Sequence, residues 1–277
     1  MEGSTWRFRG NSRNLLQMGP FGAAPPRTSD QDKSAIWSPL ATILWTAVIA
    51  FVYLVAQILT ATIFAIVTLR HLSRAEAEAA IRDLPYDGTF LFWCTFSGLL
   101  LCVPLIVGLA KLKRGAKPTD YLGLNAPSLR QLLQWSLIIG VVFGLIGLVS
   151  TLLRHPPSEF MLKVYRSDDP RWLLWLAVAI DAPVFEEICF RGFIFKGLAE
   201  SRLRWYGATI ITSVLWALIH LQYGWYEIST IIALGLVLGT ARAMTNSTLL
   251  TIWLHSLFNV LATVAMEISL RQVPVNN

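Results

Sequence analysis

Long hydrophobic stretches alternate with short charged segments along most of this chain. A helix needs about 20 consecutive apolar residues to cross a bilayer, so these stretches predict membrane spans. In chain order they cover residues 36–69, 89–110, 132–153, 172–195, 206–221, 228–242 and 248–268. The pattern therefore predicts an all-α fold, a polytopic transmembrane helix bundle of seven spans, or of eight if one stretch is split.

Smaller features between and within the stretches refine this prediction. The charged segment after the first stretch predicts a short amphipathic helix, with Ser73 as its N-cap and Glu76 at the reciprocal position of a capping box. The fifth and sixth stretches are short, which is typical of helices packed inside a bundle. The third stretch carries three glycines that permit close approach of a neighbouring helix, namely Gly140, Gly144 and Gly147.

The distribution of charge divides the chain into three regions. Residues 1–35 are polar and basic with Gly-Pro and Pro-Pro breaks, which predicts a disordered basic N-terminal tail. Residues 36–110 hold the N-terminal transmembrane helices with their amphipathic connector, and residues 111–270 hold the larger membrane bundle. With the N-terminus inside, 15 Lys and Arg residues fall on the inner side and 8 on the outer side. The positive-inside rule therefore predicts a multi-pass integral membrane protein with a cytoplasmic N-terminus.

Composition supports the membrane class and narrows the partners. The chain is 55% hydrophobic and 14% charged, with a mean hydropathy of +0.54, whereas soluble domains carry about 25% charged residues. The net charge of +6 fits the positive-inside bias. Membrane lipids are expected partners, and nucleic acid is not, because no basic run is interleaved with aromatic residues. The three cysteines lack the spacing of a disulfide framework or a zinc knuckle.

Two adjacent carboxylates and a guanidinium lie inside the fourth hydrophobic stretch, at Glu186, Glu187 and Arg191. An ionisable residue at the centre of a bilayer costs about 2.5–3.5 kcal/mol on insertion scales, so such residues usually have a function. Residues four apart share a helical face, which predicts an ion pair between Glu187 and Arg191. Glu186 points about 100° away from its neighbour. It is therefore the carboxylate left free to take a proton as a general base.

Polar residues in two later stretches complete a candidate site. His220 ends the fifth stretch, and His255 and Asn259 share one face of the seventh. One carboxylate, two imidazoles and an amide are the groups that water activation and acyl-transfer hydrolysis need. Each has a structural alternative, with His220 as a hydrogen-bonded bundle residue and the other two as interhelical fasteners. The sequence contains neither the serine nucleophile elbow nor the zincin motif.

Three motifs in this order, each on its own hydrophobic stretch, resemble the CPBP family of intramembrane proteases. They are E-E-x-x-x-R at residues 186–191, an aromatic residue four positions before His220, and H-x-x-x-N at residues 255–259. The resemblance covers residues 115–262 and includes the segment 120–124. The family contains type II CAAX prenyl endopeptidases and bacteriocin-processing or self-immunity proteins.

The resemblance implies a role for each polar residue. Glu186 would be the catalytic base that activates water, and His220 would assist it or orient the scissile carbonyl. His255 and Asn259 would stabilise the oxyanion. Residues 111–270 would then form a CPBP-like catalytic membrane bundle.

Two further residues would support this site, and one position departs from the family pattern. By the same resemblance, Glu187 and Arg191 would hold the catalytic groups in place. The second motif usually starts with phenylalanine, whereas this chain has Trp216. We expect the larger ring to keep the packing role while narrowing the pocket.

The sequence leaves the question of a metal open. Glu186, His220 and His255 are three residues of the kind that ligate zinc in an open catalytic site. However, no two of them have the i,i+4 spacing of ligands on one helix, and Asn259 suits an oxyanion better than a metal. We therefore favour a glutamate-type mechanism without a cofactor, with zinc as the alternative.

The predicted function is that of an intramembrane endopeptidase. It would hydrolyse a peptide bond near the C-terminus of a membrane-associated or prenylated, CAAX-like substrate, so its partner is a peptide or a lipidated protein. The compact length and short loops favour the bacterial inner membrane. The first alternative is a non-catalytic binding or immunity protein of the same family. The second is a proton-coupled transporter, since intramembrane carboxylates and histidines also form proton relays.

Overall fold

The computed structural model describes residues 36–167 and 170–272, and before residue 36 it describes only residues 18–19 and 22–23. Those four residues form two antiparallel strands, β1 (Met18–Gly19) and β2 (Gly22–Ala23). The rest of the predicted tail at residues 1–35 lies outside the described residues. All other regular structure in the described part of the chain is helical.

Twelve α-helices follow in the described part of the chain, interrupted by one 3-10 turn and two π-helical segments. The α-helices are α1 (Pro39–Leu69), α2 (Arg74–Asp83), α3 (Gly88–Leu112), α4 (Pro118–Leu122), α5 (Leu129–Leu152), α6 (Glu159–Arg166), α7 (Arg171–Leu176), α8 (Ala182–Glu187), α9 (Phe195–Ala199), α10 (Arg204–Leu218), α11 (Trp225–Thr245) and α12 (Thr248–Gln272). The 3-10 turn spans Leu84–Tyr86, and the π-helical segments span Ala177–Asp181 and Ile188–Ile194.

Five helices of the described chain are long and apolar enough to cross a membrane, namely α1, α3, α5, α11 and α12. They confirm the predicted all-α membrane bundle. The predicted fourth span is a run of short helical segments from residue 171 to residue 199, and the fifth is the 15-residue helix α10. The expectation of a short sixth helix is wrong, since α11 has 21 residues. Trp225, Tyr226 and Glu227 extend the helix before the predicted run, and the residues 243–245 extend it after that run.

The first membrane helix packs along the second. In α1, the Gln57 amide donates to the Cys94 carbonyl of α3 at 3.1 Å. Tyr53 lies against Gly98, where an added Cβ would come within 2.8 Å of the tyrosine ring. The Tyr53 ring also stacks on Phe185, with 5.2 Å between centroids. The N-terminal helices therefore pack directly on the segment that carries the two adjacent carboxylates.

The connector between these helices forms the predicted capping box. Ser73 caps α2, and its backbone N–H donates to Glu76 Oε2 at 2.8 Å. Hydrogen bonding by the Ser73 side chain and backbone holds the pKa of Glu76 below its usual value. None of the ten residues of α2 is buried. The helix is therefore a solvated connector.

Close helix approach occurs between α10 and α11. A Cβ added at Gly235 of α11 would lie 2.8 Å from Ser213 of α10, and one added at Gly239 would lie 2.7 Å from Thr209. Small residues thus let these two backbones come together. The close approach that the three glycines of α5 would permit does not occur in the described part of the chain, because a Cβ on any of them would meet no described atom within 4 Å. Those glycines are Gly140, Gly144 and Gly147.

The loop after α4 is held by the ends of α11 and α12. Gly123 has a φ of 64°, and its carbonyl accepts a hydrogen bond from the Thr248 N–H at 2.7 Å. The buried guanidinium of Arg242 lies directly against Gly123. It donates to the Arg191 carbonyl at 2.9 Å and to Asn246 Oδ1 at 2.6 Å. This loop is therefore coupled to the helical run that carries the acidic pair.

Candidate active site

The acidic pair lies on a single α-helical turn between two wider helical segments. Ala177–Asp181 and Ile188–Ile194 are π-helical, and α8 between them ends at Glu187. Pro183 stands near the start of α8 and has no N–H to donate to the preceding turn. π-helical turns are rare and occur frequently at functional sites. The local geometry thus makes this segment a candidate for chemistry.

Glu187 is the centre of a buried charge cluster. Its Oε1 accepts a hydrogen bond from Arg191 Nη1 at 2.8 Å, and both side chains are 0% exposed. This is the ion pair that the i,i+4 spacing predicts. Arg191 Nη2 also donates to the Gly235 carbonyl of α11 at 3.3 Å. The pair therefore ties the fourth predicted span to the sixth as well as neutralising two buried charges.

His255 joins the same carboxylate from another helix. Its Nδ1 lies 3.0 Å from Glu187 Oε1. A carboxylate paired with a guanidinium is ionised and only accepts hydrogen bonds, so Nδ1 carries the proton. In a neutral ring, Nε2 then carries no proton and can only accept a hydrogen bond. Nε2 can donate a hydrogen bond only when the ring is the imidazolium. The protonation state of His255 therefore decides whether it can stabilise an oxyanion.

Glu186 faces a different helix from Glu187. Its Oε2 accepts a hydrogen bond from the indole Nε1 of Trp216 in α10 at 2.5 Å. Trp216 is only 2% exposed, whereas Glu186 is only partly buried. The two adjacent carboxylates thus have separate tasks. Glu187 is buried and ion-paired, while Glu186 remains partly exposed and accepts one hydrogen bond from an uncharged donor.

His220 lies just beyond the helix in which it was predicted. α10 ends at Leu218, and His220 follows as the first residue after the C-cap at Ile219. Its Nδ1 lies 2.8 Å from the carbonyl of Trp216. A carbonyl only accepts, so Nδ1 is the donor and Nε2 of the neutral ring is the free acceptor. The last turn of α10 thereby orients an imidazole that can accept a hydrogen bond.

Asn259 is brought to the fourth segment but not to the carboxylates. Its Nδ2 donates to the Val178 carbonyl at 2.7 Å, in the first π-helical segment. This contact is the fastener between helices that the sequence also allowed. Only the second N–H of the same amide is left over for an oxyanion. His255 and Asn259 both bind the fourth segment, so α12 is attached to it at two points.

Five of the six residues predicted for the site, all except Asn259, thus form one assembly with Trp216. Glu186, Glu187 and Arg191 come from the fourth predicted span, His220 from the end of the fifth and His255 from the seventh. The ring of Trp216 lies at their centre. Arg191 Cζ is 4.5 Å from its centroid, and the rings of His220 and His255 are 5.4 and 5.0 Å away, both edge-on.

Sequence reasoning missed the polar role of Trp216. The aromatic position was recognised only as packing, although an indole carries an N–H donor that usually finds a partner when it is buried. The ring of Tyr223 stacks near that of His220, with 6.2 Å between the centroids, and the sequence pattern did not predict this contact. Tyr223 lies in an irregular segment between helices, where periodicity gives no signal. A cavity of about 400 Å³ bordered by Trp37 and Lys113 includes none of the predicted site residues.

The described residues do not form an evident metal site. No three His, Cys, Asp or Glu side chains in the described part of the chain lie close enough together to hold an ion. Of the alternative ligand set, His220 and His255 each bond through Nδ1 and keep Nε2 free, as metal-bound imidazoles do, so it is the spacing of the side chains and not their hydrogen bonding that speaks against an ion. The donor set as arranged does not fit an open zinc site with three protein ligands.

Comparison with known proteins agrees with the motif resemblance. Residues 168–261 match the family model described as type II CAAX prenyl endopeptidase Rce1-like. The matched segment contains all six predicted site residues and Trp216. No curated protein matches the chain, and no solved structure matches it.

Proposed function

We propose that this chain, whose residues 168–261 match the family model described as type II CAAX prenyl endopeptidase Rce1-like, is an intramembrane endopeptidase in which Glu186 activates the attacking water. The substrate is a membrane-associated or prenylated, CAAX-like peptide, cut near its C-terminus. Multi-pass membrane helices suit such a substrate, because its lipid or its apolar segment stays in the bilayer while the scissile bond enters the bundle.

The observation that carries the proposal is the division of labour between the adjacent glutamates. Glu187 is held by Arg191 and His255 within a buried cluster. Glu186 is partly accessible and accepts one hydrogen bond, from Trp216. A general base must have a lone pair that water can reach. Of the two carboxylates, Glu186 meets that requirement.

The reaction balances with the groups of this site. A water oxygen attacks the scissile carbonyl carbon and gives one proton to Glu186, while Nε2 of neutral His220 accepts a hydrogen bond from the same water. The carbonyl oxygen becomes the oxyanion of a tetrahedral intermediate. When the C–N bond breaks, protonated Glu186 returns its proton to the leaving nitrogen. One water has then been divided between a new carboxyl and a new amine.

Charge balance supports His255 as the oxyanion donor. Glu186 together with the buried pair of Glu187 and Arg191 makes two carboxylates and one guanidinium, so a neutral His255 leaves the site with a net charge of −1. An imidazolium at His255 brings the net charge to zero, which is favourable where water is scarce. It then has an N–H at each nitrogen, with Nδ1 on Glu187 and Nε2 available to the oxyanion.

The second candidate is a non-catalytic immunity protein of the same family. One observation favours it: Glu187, Arg191, His255 and Asn259 all have partners within the protein. Such pairing is what a purely structural cluster requires. The two functions differ in what they demand of Glu186, because a structural cluster does not need a base.

The proposal is tested with purified protein in vesicles and quenched fluorescent peptides that end in a CAAX sequence, with and without a farnesyl group on the cysteine. We expect the wild type to release the residues that follow the cysteine, identified by mass spectrometry. Glu186→Gln should lower kcat by about 10²–10⁴-fold, the usual contribution of a general base. The matched control is Glu159→Gln, since Glu159 is an exposed carboxylate on α6 outside the site.

The outcomes separate the two candidates. Full activity of Glu186→Gln would refute the assignment of the base. If the wild type cleaves neither peptide, peptides that co-purify with Glu186→Gln supply the next substrates to test. Absence of both cleavage and any co-purified peptide would favour the immunity function.

A further inference from the structure

We propose that Trp216 is a positioning residue for the general base: its indole N–H holds one oxygen of Glu186 and leaves the other directed to the water. This inference rests on the proposed function and names a residue that performs no proton transfer itself. The bond from Trp216 Nε1 to Glu186 Oε2 is 2.5 Å long and joins α10 to α8. It is the short, direct kind of contact that fixes a side-chain rotamer.

The chemistry of the indole makes this contact one-directional. Tryptophan offers a single N–H donor and no acceptor. Glu186 must therefore accept with Oε2, and this oxygen keeps the contact whether or not Oε1 carries a proton. Proton exchange with water is thereby confined to Oε1. A carboxylate without such a donor could rotate and present either oxygen.

The indole cannot easily move away, because it is held on several sides. Its side chain is 2% exposed. The guanidinium of Arg191 covers its face at 4.5 Å, and cation–π contacts of this kind favour a fixed ring orientation. The His255 ring meets it edge-on at 5.0 Å. The buried charge cluster therefore fixes the indole, and the indole in turn fixes Glu186.

The backbone of the same residue orients the second group that contacts the water. The Trp216 carbonyl accepts the Nδ1–H of His220 at 2.8 Å. Trp216 thus anchors Glu186 through its side chain and His220 through its backbone. The distance between the two groups that hold the water is consequently set by one residue rather than by the packing of two helices.

A phenylalanine at position 216, the usual residue of the motif, would keep the ring and the backbone contact but would lack the donor. The test replaces the N–H alone. Site-specific incorporation of 3-benzothienylalanine at position 216 exchanges the N–H for sulfur in a ring of nearly the same shape. Trp216→Phe is made in parallel, and the same unnatural residue at the exposed Trp172 is the matched control.

We expect both substitutions at Trp216 to lower kcat by about 10- to 100-fold, the range for a hydrogen bond to a charged group. KM should stay within about twofold, because the bond orients the base and not the peptide. The Trp172 control should match the wild type. Size-exclusion profiles and unfolding temperatures in detergent establish whether each variant is folded. If Trp216→Phe does not fold, the 3-benzothienylalanine variant alone tests the proposal.

A purely structural role predicts a different pattern. If Trp216 only fills space, the sulfur isostere keeps full kcat and the inference is overturned, while an inactive Glu186→Gln still upholds the proposed function. If Glu186→Gln is fully active, the base assignment and this inference fall together. Infrared difference spectra give a readout independent of turnover: the carboxylate stretch that Glu186→Gln removes should shift in the isostere variant, and an unshifted band would contradict the hydrogen bond.

Discussion

Removing the guanidinium of Arg191 should destabilise the protein more than removing both charges of its ion pair. Arg191 and Glu187 are 0% exposed and 2.8 Å apart. Arg191→Met leaves a carboxylate in a buried site, and breaking a buried pair from one side costs about 3–5 kcal/mol. His255 Nδ1, at 3.0 Å from the same oxygen, offers Glu187 a second partner. We therefore expect the lower end of that range, about 3 kcal/mol.

The double variant Glu187→Gln/Arg191→Met removes the stranded charge. What remains lost is the hydrogen bond from Arg191 to the Gly235 carbonyl and the contact with the Trp216 ring. A buried acceptor without its donor costs about 1–3 kcal/mol. The double variant should thus be more stable than Arg191→Met alone, and the two substitutions should be strongly non-additive.

The assay is the free energy of unfolding in mild detergent, measured by denaturant titration or by steric trapping, for both single variants and the double variant. The control cycle uses the exposed i,i+4 pair of Arg74 and Glu78 on α2, which are 93% and 57% exposed. We expect its coupling energy to be below about 0.5 kcal/mol. If the effects of the Glu187 and Arg191 substitutions on the free energy of unfolding prove additive, the two charges are screened, and the buried cluster does not exist in the folded protein.

Two further substitutions test the connections around the site. Gly123→Ala should destabilise the protein by about 1–3 kcal/mol, because φ is 64° there and a Cβ would strike the Arg242 guanidinium. The control in the same unfolding assay is Gly144→Ala, where a Cβ would meet no described atom within 4 Å. Asn259→Asp should lower stability by about 1–3 kcal/mol, because a carboxylate cannot donate to the Val178 carbonyl. An unchanged free energy of unfolding for either variant would contradict the corresponding contact.

The sequence alone was sufficient to predict features that depend on the length of an apolar run or on regular helical periodicity. The first span was predicted at residues 36–69, and α1 runs from Pro39 to Leu69. The prediction works because a long apolar segment that crosses a bilayer must satisfy its own backbone hydrogen bonds as a helix. The Glu187–Arg191 pair followed from the spacing of four residues. Both features depend on neighbours within one helix, and neither depends on how the helices pack.

Features that depend on tertiary packing were beyond such reasoning. The sequence around residue 177 and residue 188 contains no pattern that predicts a π-helical turn. Such a turn becomes stable only when a neighbouring helix packs against it and forms hydrogen bonds with it. The glycines of α5 look like a packing motif, yet the close contacts occur on α11. The donor role of Trp216 was equally hidden, because its partner lies 30 residues away in the chain.

The tandem arrangement of the two glutamates has a physical explanation in this geometry. Adjacent residues on an α-helix diverge by about 100°, so one turn of α8 presents Glu186 to α10 and Glu187 to α12. A single carboxylate could not serve both helices, since one bound by Arg191 and His255 would be held in the ionised form and would be a poor proton carrier. Separating the residues by four positions would place both on one face and leave one of the two helices without a contact. Adjacent acids are therefore the arrangement that lets one turn of helix both anchor the bundle and present a reactive base.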